Sequence, residues 1–337
     1  MQMQQVLLGI AIGDAFGAGV EFQDRTWIQQ HVDFSRFVNA RHQIQVPDHQ
    51  KTLFTQNYHP WEYTDDTEMT VGLIKALLSK KAFSPDLLID HWTQEYQLGI
   101  TQKGYGRNGH GSMRWVFSGE KSIEEVRAFQ TSRKYPGNAP PMRAVPLGCL
   151  PAPLIDDYAI INADATHPHP IARAASILVA RATAFLLVKK GQPADLIAYC
   201  QRFIKEICTD TYELLQDIAK LPPPTQLQTP HYETLCGPQP IKSPRFLAGI
   251  HGLPSDALLT GGAILYILKH AKSAFEALKL SINLGGDVDS VASICTGILA
   301  GKYGLASLPD FMLEKVEGKA MLVELGTKFQ QFVFDQI

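Results

Sequence analysis

Two stretches of the sequence place acidic and hydroxyl side chains directly before apolar runs. The stretches YTDDTEMTVGL (residues 63–73) and NLGGDVDSVAS (residues 283–293) carry Thr64, Asp65, Asp66, Asp287, Asp289 and Ser290. Apolar positions recur at three and four residues after each group, so both groups stand at the start of a predicted helix. Asp289 alone could be an ordinary helix N-cap. One cap needs only one side chain, however, whereas the two motifs supply four carboxylates.

Four carboxylates near buried helix ends suggest a metal site. They would repel one another unless they were protonated, widely separated or neutralised by cations. Ligand sets made only of oxygen suit hard cations such as Mg²⁺ or Mn²⁺. Two aspartate pairs from distant parts of the chain are what a site for two metal ions requires.

A third element, near the N-terminus, is predicted to be a helix with one face free of side chains. In LLGIAIGDAFGAGVEF, Gly9, Gly13 and Gly17 are spaced four apart, which leaves one helix face without side chains. Another backbone can lie closely on that face. Asp14 and Glu21 interrupt this otherwise apolar segment, and Glu21 alone could be a solvated acid at a helix end. The glycines before Asp287 likewise allow a sharp turn into the second acidic helix.

The rest of the chain indicates an all-α fold. Helical periodicity is widespread, and two S-x-x-E capping signals occur at Ser122 and Ser273. The best strand candidate is the ambiguous His42–Val46. With no composition shift or short repeat, residues 1–337 are interpreted as a single domain. Residues 221–254 contain eight prolines and are predicted to form a long loop or lid.

Composition limits the class of protein. Of the 337 residues, 45% are hydrophobic, and the net charge of −2 makes nucleic acid an unlikely partner. The apolar Val6–Ile12 is followed at once by Asp14 and has no basic residues before it, so neither a membrane span nor a signal peptide is expected. The five cysteines lack C-x-x-C spacing, which predicts reduced structural residues. We expect a cytoplasmic protein without membrane contact and, as the simplest state, a monomer.

Five motifs in order resemble those of the ADP-ribosylglycohydrolase family, which includes the dinitrogenase reductase-activating glycohydrolases. They are GIAIGDAFGAGVEF, YTDDTEMTVGL, GNAPPMRAVPLG, DATHPHPIARAAS and NLGGDVDSVASICTGILAGKYG. The resemblance implies a compact orthogonal bundle of helices with a central site for two divalent cations, Mg²⁺ or Mn²⁺. It implies hydrolysis of the bond between ADP-ribose and an acceptor, foremost arginine on a protein. The metal ligands carried over by motif are Thr64, Asp65, Asp66, Asp287, Asp289 and Ser290, where Ser290 replaces the threonine usual in the family.

The resemblance also assigns catalytic and substrate-side residues. Glu21, together with the ligands Asp65 and Asp289, would form the catalytic group, with Glu21 orienting or deprotonating water or contacting the leaving group. The residues expected to face the ligand are Gly104, Tyr105, Gly106, Asn138 and His167. GYGRNG (residues 104–109) has the spelling G-x-G-x-x-G, but no predicted strand precedes it, so a Rossmann interpretation fails. Arg143 is interpreted as an internal partner for a carboxylate.

Other functions remain open from the sequence. The chain could bind ADP-ribose without turnover, hydrolyse O-linked ADP-ribose on serine or on a small molecule, or act as a metal-dependent nucleotide phosphohydrolase. Its partner would accordingly be an ADP-ribosylated protein or a small-molecule ADP-ribose conjugate. The residues that select the acceptor carry no readable pattern, because such residues lie mostly on loops.

Overall fold

Helices make up nearly all the regular structure of the computed structural model, which confirms the predicted all-α class. The structure describes residues 2–40, 59–103, 113–243 and 246–336. The predicted strand His42–Val46 lies outside the described residues. Within them, the only sheet is one short antiparallel hairpin.

The first half of the described chain forms nine helices. They are α1 (Met3–Val20), α2 (Arg25–His31), α3 (Asp65–Leu78), α4 (Pro85–Lys103), α5 (Met113–Phe117), α6 (Ile123–Ser132), α7 (Ala139–Met142), α8 (Ile155–Asp164) and α9 (Pro170–Thr183). The Ser122 capping box at the start of α6 is present as predicted. Proline occupies the first turn of α9, where its missing N–H leaves no helical hydrogen bond unmade.

Eight further helices and the hairpin complete the described chain. They are α10 (Leu196–Ile204), α11 (Thr209–Lys220), α12 (Thr229–Cys236), β1 (Ile241–Ser243), β2 (Phe246–Ile250), α13 (Ala257–His270), α14 (Ala274–Ile282), α15 (Asp289–Tyr303), α16 (Asp310–Lys315) and α17 (Lys319–Phe334). At α14 only half of the predicted capping box forms. The Ser273 side chain accepts from the Glu276 N–H, but the Glu276 carboxylate accepts from the backbone of Lys272 instead.

The centre of the fold is the pair α1 and α15, and the predicted glycine face is what brings them together. A Cβ added at Gly13 would lie 2.2 Å from the Ala292 carbonyl oxygen, and one at Gly17 would lie 2.4 Å from the Asp289 Cα. No side chain fits at either position. The two backbones are therefore in contact, and Gly17 lies against the first residue of α15, where the second acidic motif begins.

Neighbouring helices enclose this pair. The α17 helix packs on α1, where a Cβ at Gly326 would lie 2.8 Å from the Gln4 Cα. Helices α3 and α4 pack together around the fully buried Trp92, whose indole N–H donates to the Met69 carbonyl. Helices α13 and α14 also pack against α15. The acidic helix starts are thus held by a continuous apolar core.

The proline-rich segment is more ordered than the predicted long loop. Its described part contains a 3₁₀ turn, α12 and the β1–β2 hairpin, with Leu235 and Cys236 buried. The segment is attached near the end of α1, because the Arg25 guanidinium lies 3.7 Å from the centre of the Tyr232 ring. The Arg25 N–H also donates to the His251 carbonyl. Whether the segment acts as a lid stays a prediction.

Two described segments are long and apolar enough to cross a membrane, Met3–Val20 and Pro170–Val188. They are 89% and 83% buried inside the protein, as expected of core helices, so this feature is weak evidence for a membrane span. All five cysteines are buried and free of disulfides, as predicted.

Candidate functional site

The loop before α15 is a tight turn that only glycine fits. Gly285 and Gly286 have φ of 70° and 78°, and a Cβ at Gly286 would lie 2.2 Å from the Leu253 carbonyl oxygen. The turn is bound on both sides, since the Phe22 N–H donates to the Gly286 carbonyl and the Asp287 N–H donates to the Leu253 carbonyl. These contacts fix the direction in which Asp287 leaves the turn.

Asp289 is not the N-cap that the sequence suggested. Val288 occupies that position, and Asp289 is the first residue of α15, where its Oδ1 accepts from the Ser290 N–H at 2.8 Å. The φ of −104° and ψ of −13° at Val288 already approach helical geometry, so the helix starts before a side-chain cap could form. Negative charge in the first turn is favoured by the helix dipole.

Glu21 joins this group from the end of α1. One carboxylate oxygen from each of Glu21, Asp287 and Asp289 lies within 4.8 Å of the other two. All three residues are buried. Burial raises the pKa of Asp287 to about 6, and the charge of Glu21 adds to the shift. The pKa of Asp289 is raised well above its usual value by burial and by the charge of Asp287. These carboxylates are therefore costly to ionise together without a cation.

The start of α3 is held by a residue that the sequence interpretation left without a role. The fully buried carboxylate of Asp14 accepts from the backbone N–H groups of Thr64 and Thr67 and from both threonine hydroxyls, at 2.6–3.0 Å. Asp14 thus ties the middle of α1 to the first turn of α3. A lone acid in a glycine-rich helical stretch was the only signal in the sequence for this role.

Asp65 and Asp66 begin α3 and lie close enough to Asp289 to feel its charge. The pKa of each is raised well above the usual value, first by burial and then by the Asp289 carboxylate. A hydrogen bond with the Ser290 side chain partly offsets the shift at Asp66. The fold therefore brings together two acidic motifs that are separated by more than two hundred residues, while their role as metal ligands stays a prediction.

The donor set fits divalent cations. Asp66 Oδ1 is buried and has no hydrogen-bond partner in the described structure, which is costly for a carboxylate oxygen unless a ligand occupies its lone pairs. The carboxylates of Glu21, Asp287 and Asp289 converge, and those of Asp65 and Asp66 lie near Asp289. Hard, negatively charged oxygen donors are the ligands that Mg²⁺ and Mn²⁺ prefer.

Asn138 makes a hydrogen bond to one of the predicted metal ligands. Its Nδ2 donates to Asp287 Oδ2 at 3.0 Å, and its Oδ1 accepts from the Ser255 hydroxyl at 3.4 Å. Ser255 was missed by the sequence interpretation, because a single serine directly after the proline-rich segment carries no signal. Through these contacts the segment that precedes α13 reaches the acidic group.

The two histidines of the THPHP motif have different roles. His169 is the N-cap of α9, where its Nδ1 accepts from the Ile171 N–H at 3.1 Å. His167 is buried beside Gly137, which precedes Asn138. The ligand-side position of His167 stays a prediction. The predicted ligand-side residues Gly104, Tyr105 and Gly106 lie outside the described residues.

Arg143 forms no ion pair with a carboxylate of the described residues, which corrects the sequence interpretation. The fully buried guanidinium donates to the side chain and the carbonyl of Asn162 and to the Thr166 hydroxyl, and it lies 3.8 Å from the centre of the Trp92 ring. Burial lowers its pKa well below the usual value, and the charge of Asp65 acts in the opposite direction. Neutral oxygens and an aromatic face therefore surround the guanidinium in place of the expected carboxylate.

The sequence profile of the ADP-ribosylglycohydrolase family matches residues 2–334. The chain is 24% identical to the ADP-ribosyl-[dinitrogen reductase] glycohydrolase of Rhodospirillum rubrum, over 93% of this chain and 89% of that protein. It is 23% identical to human ADP-ribosylhydrolase ARH3, over 93% and 88% of the two chains. A solved ADP-ribosylglycohydrolase-related protein complex has a similar fold, with a TM-score of 0.65, 19% identity and coverage of 98% and 99%.

Proposed function

Because the chain belongs to the ADP-ribosylglycohydrolase family, we propose that it hydrolyses the bond between ADP-ribose and an arginine side chain of a protein. As a member of this family the chain is a hydrolase. The observation that carries the proposal is the group of buried carboxylates from Glu21, Asp287 and Asp289, which lies next to the start of α3. A relative whose name specifies a protein acceptor supports a protein substrate.

The residues fit a hydrolysis at the anomeric carbon of ribose. Cleavage there develops positive oxocarbenium character, which the negative potential of Asp287 and Asp289 stabilises. Divalent cations held by Thr64, Asp65, Asp66, Asp287, Asp289 and Ser290 would supply Lewis acidity toward water and toward ribose hydroxyls. Glu21 lies beside these residues and can take a proton from the attacking water or give one to the leaving group. Water adds to the sugar carbon, and the acceptor leaves with the proton.

The supporting residues keep this geometry in place. Asn138 donates a hydrogen bond to the Asp287 carboxylate, and the hydrogen bonds from Thr64 and Thr67 to Asp14 fix the first turn of α3. An arginine acceptor suits the acidic surroundings, because its guanidinium is positively charged when it leaves. The proposal also includes three features that are predicted from the sequence. They are a site for two Mg²⁺ or Mn²⁺ ions, a monomeric state and a cytoplasmic location.

A panel of ADP-ribosylated substrates tests the proposal. Arginine-linked, serine-linked and small-molecule conjugates would be incubated after chelator treatment, with and without added Mg²⁺ or Mn²⁺, and released ADP-ribose would be measured. We expect release from the arginine conjugate only with metal, and loss of release in Asp289→Asn. The exposed Asp217, whose partner is Lys220, provides the control Asp217→Asn with unchanged activity. Release of phosphate instead of ADP-ribose, or activity without any divalent metal, would refute the proposal.

A further inference from the structure

We propose that Thr166 is a positioning residue that holds His167 in the tautomer with its hydrogen on Nε2, so that the ring donates a hydrogen bond to an oxygen of the bound ligand. The inference deepens the proposed function, since it takes the ligand to be the ADP-ribose part of the substrate. Residue types and their spacing in the sequence do not determine the tautomer of a histidine. Here the tautomer is determined by the directions of two buried hydrogen bonds.

The hydrogen bond from Arg143 to Thr166 determines the direction of the hydrogen bond between Thr166 and His167. Arg143 Nη2 lies 2.8 Å from Thr166 Oγ1, and a guanidinium can only donate, so the threonine oxygen accepts there. The same oxygen lies 2.7 Å from His167 Nδ1. Thr166 is fully buried, and its hydroxyl has no other acceptor among the described residues. Its hydrogen therefore goes to Nδ1, because a buried hydroxyl without an acceptor is costly. Nδ1 accepts, which leaves the ring hydrogen on Nε2.

Further contacts fix the orientation of the Arg143 guanidinium, which is the first donor in this chain of hydrogen bonds. Besides Thr166, the Arg143 guanidinium donates to Asn162 Oδ1 at 2.8 Å and to the Asn162 carbonyl at 3.0 Å, and it is stacked on Trp92. Asn162 is itself bound, since its Nδ2 donates to the Pro140 carbonyl. The ring also stays neutral. Burial and then the positive charge of Arg143 hold the pKa of His167 well below its usual value.

The Nε2–H of His167 lies beside Gly137, the residue that precedes Asn138. A Cβ added at Gly137 would lie 3.0 Å from Nε2, so only glycine leaves the ring edge room beside the backbone. The next residue, Asn138, donates to the proposed metal ligand Asp287. Nε2 makes no hydrogen bond to the part of the chain that the structure describes. A neutral donor at this place suits a phosphate or ribose oxygen of the ligand.

The tautomer can be read directly by nuclear magnetic resonance. Protein labelled with ¹⁵N-histidine would be examined by long-range ¹H–¹⁵N correlation, with the His167 signals assigned from His167→Gln. Wild type and Thr166→Ser, which keeps the hydroxyl, should both show a protonated Nε2 and an unprotonated Nδ1. Thr166→Val should shift the population toward the Nδ1–H form, since valine cannot donate to Nδ1. Wild-type protein with its hydrogen on Nδ1 would overturn the inference, even if the valine variant does not fold.

Titration with ADP-ribose tests whether the donor is used. We expect the dissociation constant to rise by about tenfold in Thr166→Val and to stay near that of wild type in Thr166→Ser. The matched control is Thr183→Val, since Thr183 is also fully buried and its hydroxyl donates to the Val179 carbonyl within α9. A changed tautomer with unchanged affinity would refute the donor role. Failure of the proposed hydrolysis would appear separately, as absence of turnover in wild type with the tautomer still measurable.

Discussion

Glu21 is the carboxylate for which catalysis and metal binding can be separated by one substitution. Glu21→Gln keeps the size of the side chain but removes its capacity to take a proton. We expect turnover to fall by a factor on the order of 10². The affinity for ADP-ribose and for metal should change little, as measured by calorimetric titration beside single-turnover hydrolysis.

The control for Glu21 is Glu124→Gln, which alters an exposed acid on α6 paired with Arg127 and should leave both quantities unchanged. Unchanged turnover in Glu21→Gln would remove Glu21 from the catalytic group. A parallel loss of metal binding would place Glu21 among the metal ligands instead, which its position within 4.8 Å of Asp287 and Asp289 makes a direct alternative.

Asp256 should make stability depend on pH. Its side chain caps α13 by accepting from the Leu259 N–H, and burial raises its pKa from 3.8 to about 6. A raised pKa in the folded state means that its stabilising contribution is complete below pH 4 and is lost as pH rises through 6. Between pH 4 and 7 the loss amounts to about 2–3 kcal/mol. Asn caps helices equally well and does not ionise.

We therefore expect the unfolding free energy of Asp256→Asn, relative to wild type, to increase by about 2–3 kcal/mol from pH 4 to pH 7. Denaturant titrations of metal-free protein at several pH values would measure this difference. The exposed Asp217→Asn should show no such trend. A difference that stays constant across the pH range would mean that Asp256 ionises normally in the folded protein.

At the scale of elements, the close approach of α1 and α15 determines where Glu21 and Asp289 lie. Gly13→Ala would place a Cβ 2.2 Å from a backbone oxygen of α15, so we expect a loss of roughly 1–3 kcal/mol in unfolding free energy and weaker metal binding. The control is Gly261→Ala in α13, whose Cβ would lie 3.6 Å from its nearest neighbours. That variant should gain up to about 1 kcal/mol. Thermal unfolding of both variants would measure these changes in stability. If Gly13→Ala were as stable as wild type, the close packing of α1 on α15 would be contradicted.

Arg25 connects the proline-rich segment to the turn before α15. Arg25 Nε donates to the Leu284 carbonyl, directly before the Gly285–Gly286 turn, while its guanidinium covers Tyr232. Arg25→Met should raise hydrogen exchange in residues 229–254 and, if the segment covers the cleft, alter preference across the substrate panel. Arg202→Met, which removes a cation 5.1 Å from the centre of the Tyr199 ring, is the control. Unchanged exchange in Arg25→Met would show that the segment is held by other contacts.

For the whole molecule, metal binding and folding are coupled. Ions that bind only the folded protein stabilise it by about 2.7 kcal/mol at one hundred times the dissociation constant. We expect Mg²⁺ or Mn²⁺ to raise the melting temperature of chelator-treated protein, by less in Asp66→Asn and Asp289→Asn. Asp217→Asn should respond as wild type does. A wild-type melting temperature that does not change with either ion would argue against a bound metal in the folded state.

The sequence by itself determined the helical class, the glycine face of α1 and the two acidic helix starts. These are local properties, since periodicity, missing side chains and a motif of a few residues can be read without knowing the fold. The family resemblance then indicated which of these motifs belong to one site. The His169 cap and the role of Arg143 were not readable in this way, because each depends on which atoms lie opposite the side chain.

Only the tertiary structure decided how the pieces meet. It showed that Asp14 holds the start of α3, that Ser255 and Asn138 support Asp287, and that Thr166 connects Arg143 to His167. It also showed a helix and a hairpin where prolines suggested a long loop. These contacts join residues far apart in the chain, and burial gives them their energetic weight. A side chain's partner and its desolvation are set by packing, which short stretches of sequence do not encode.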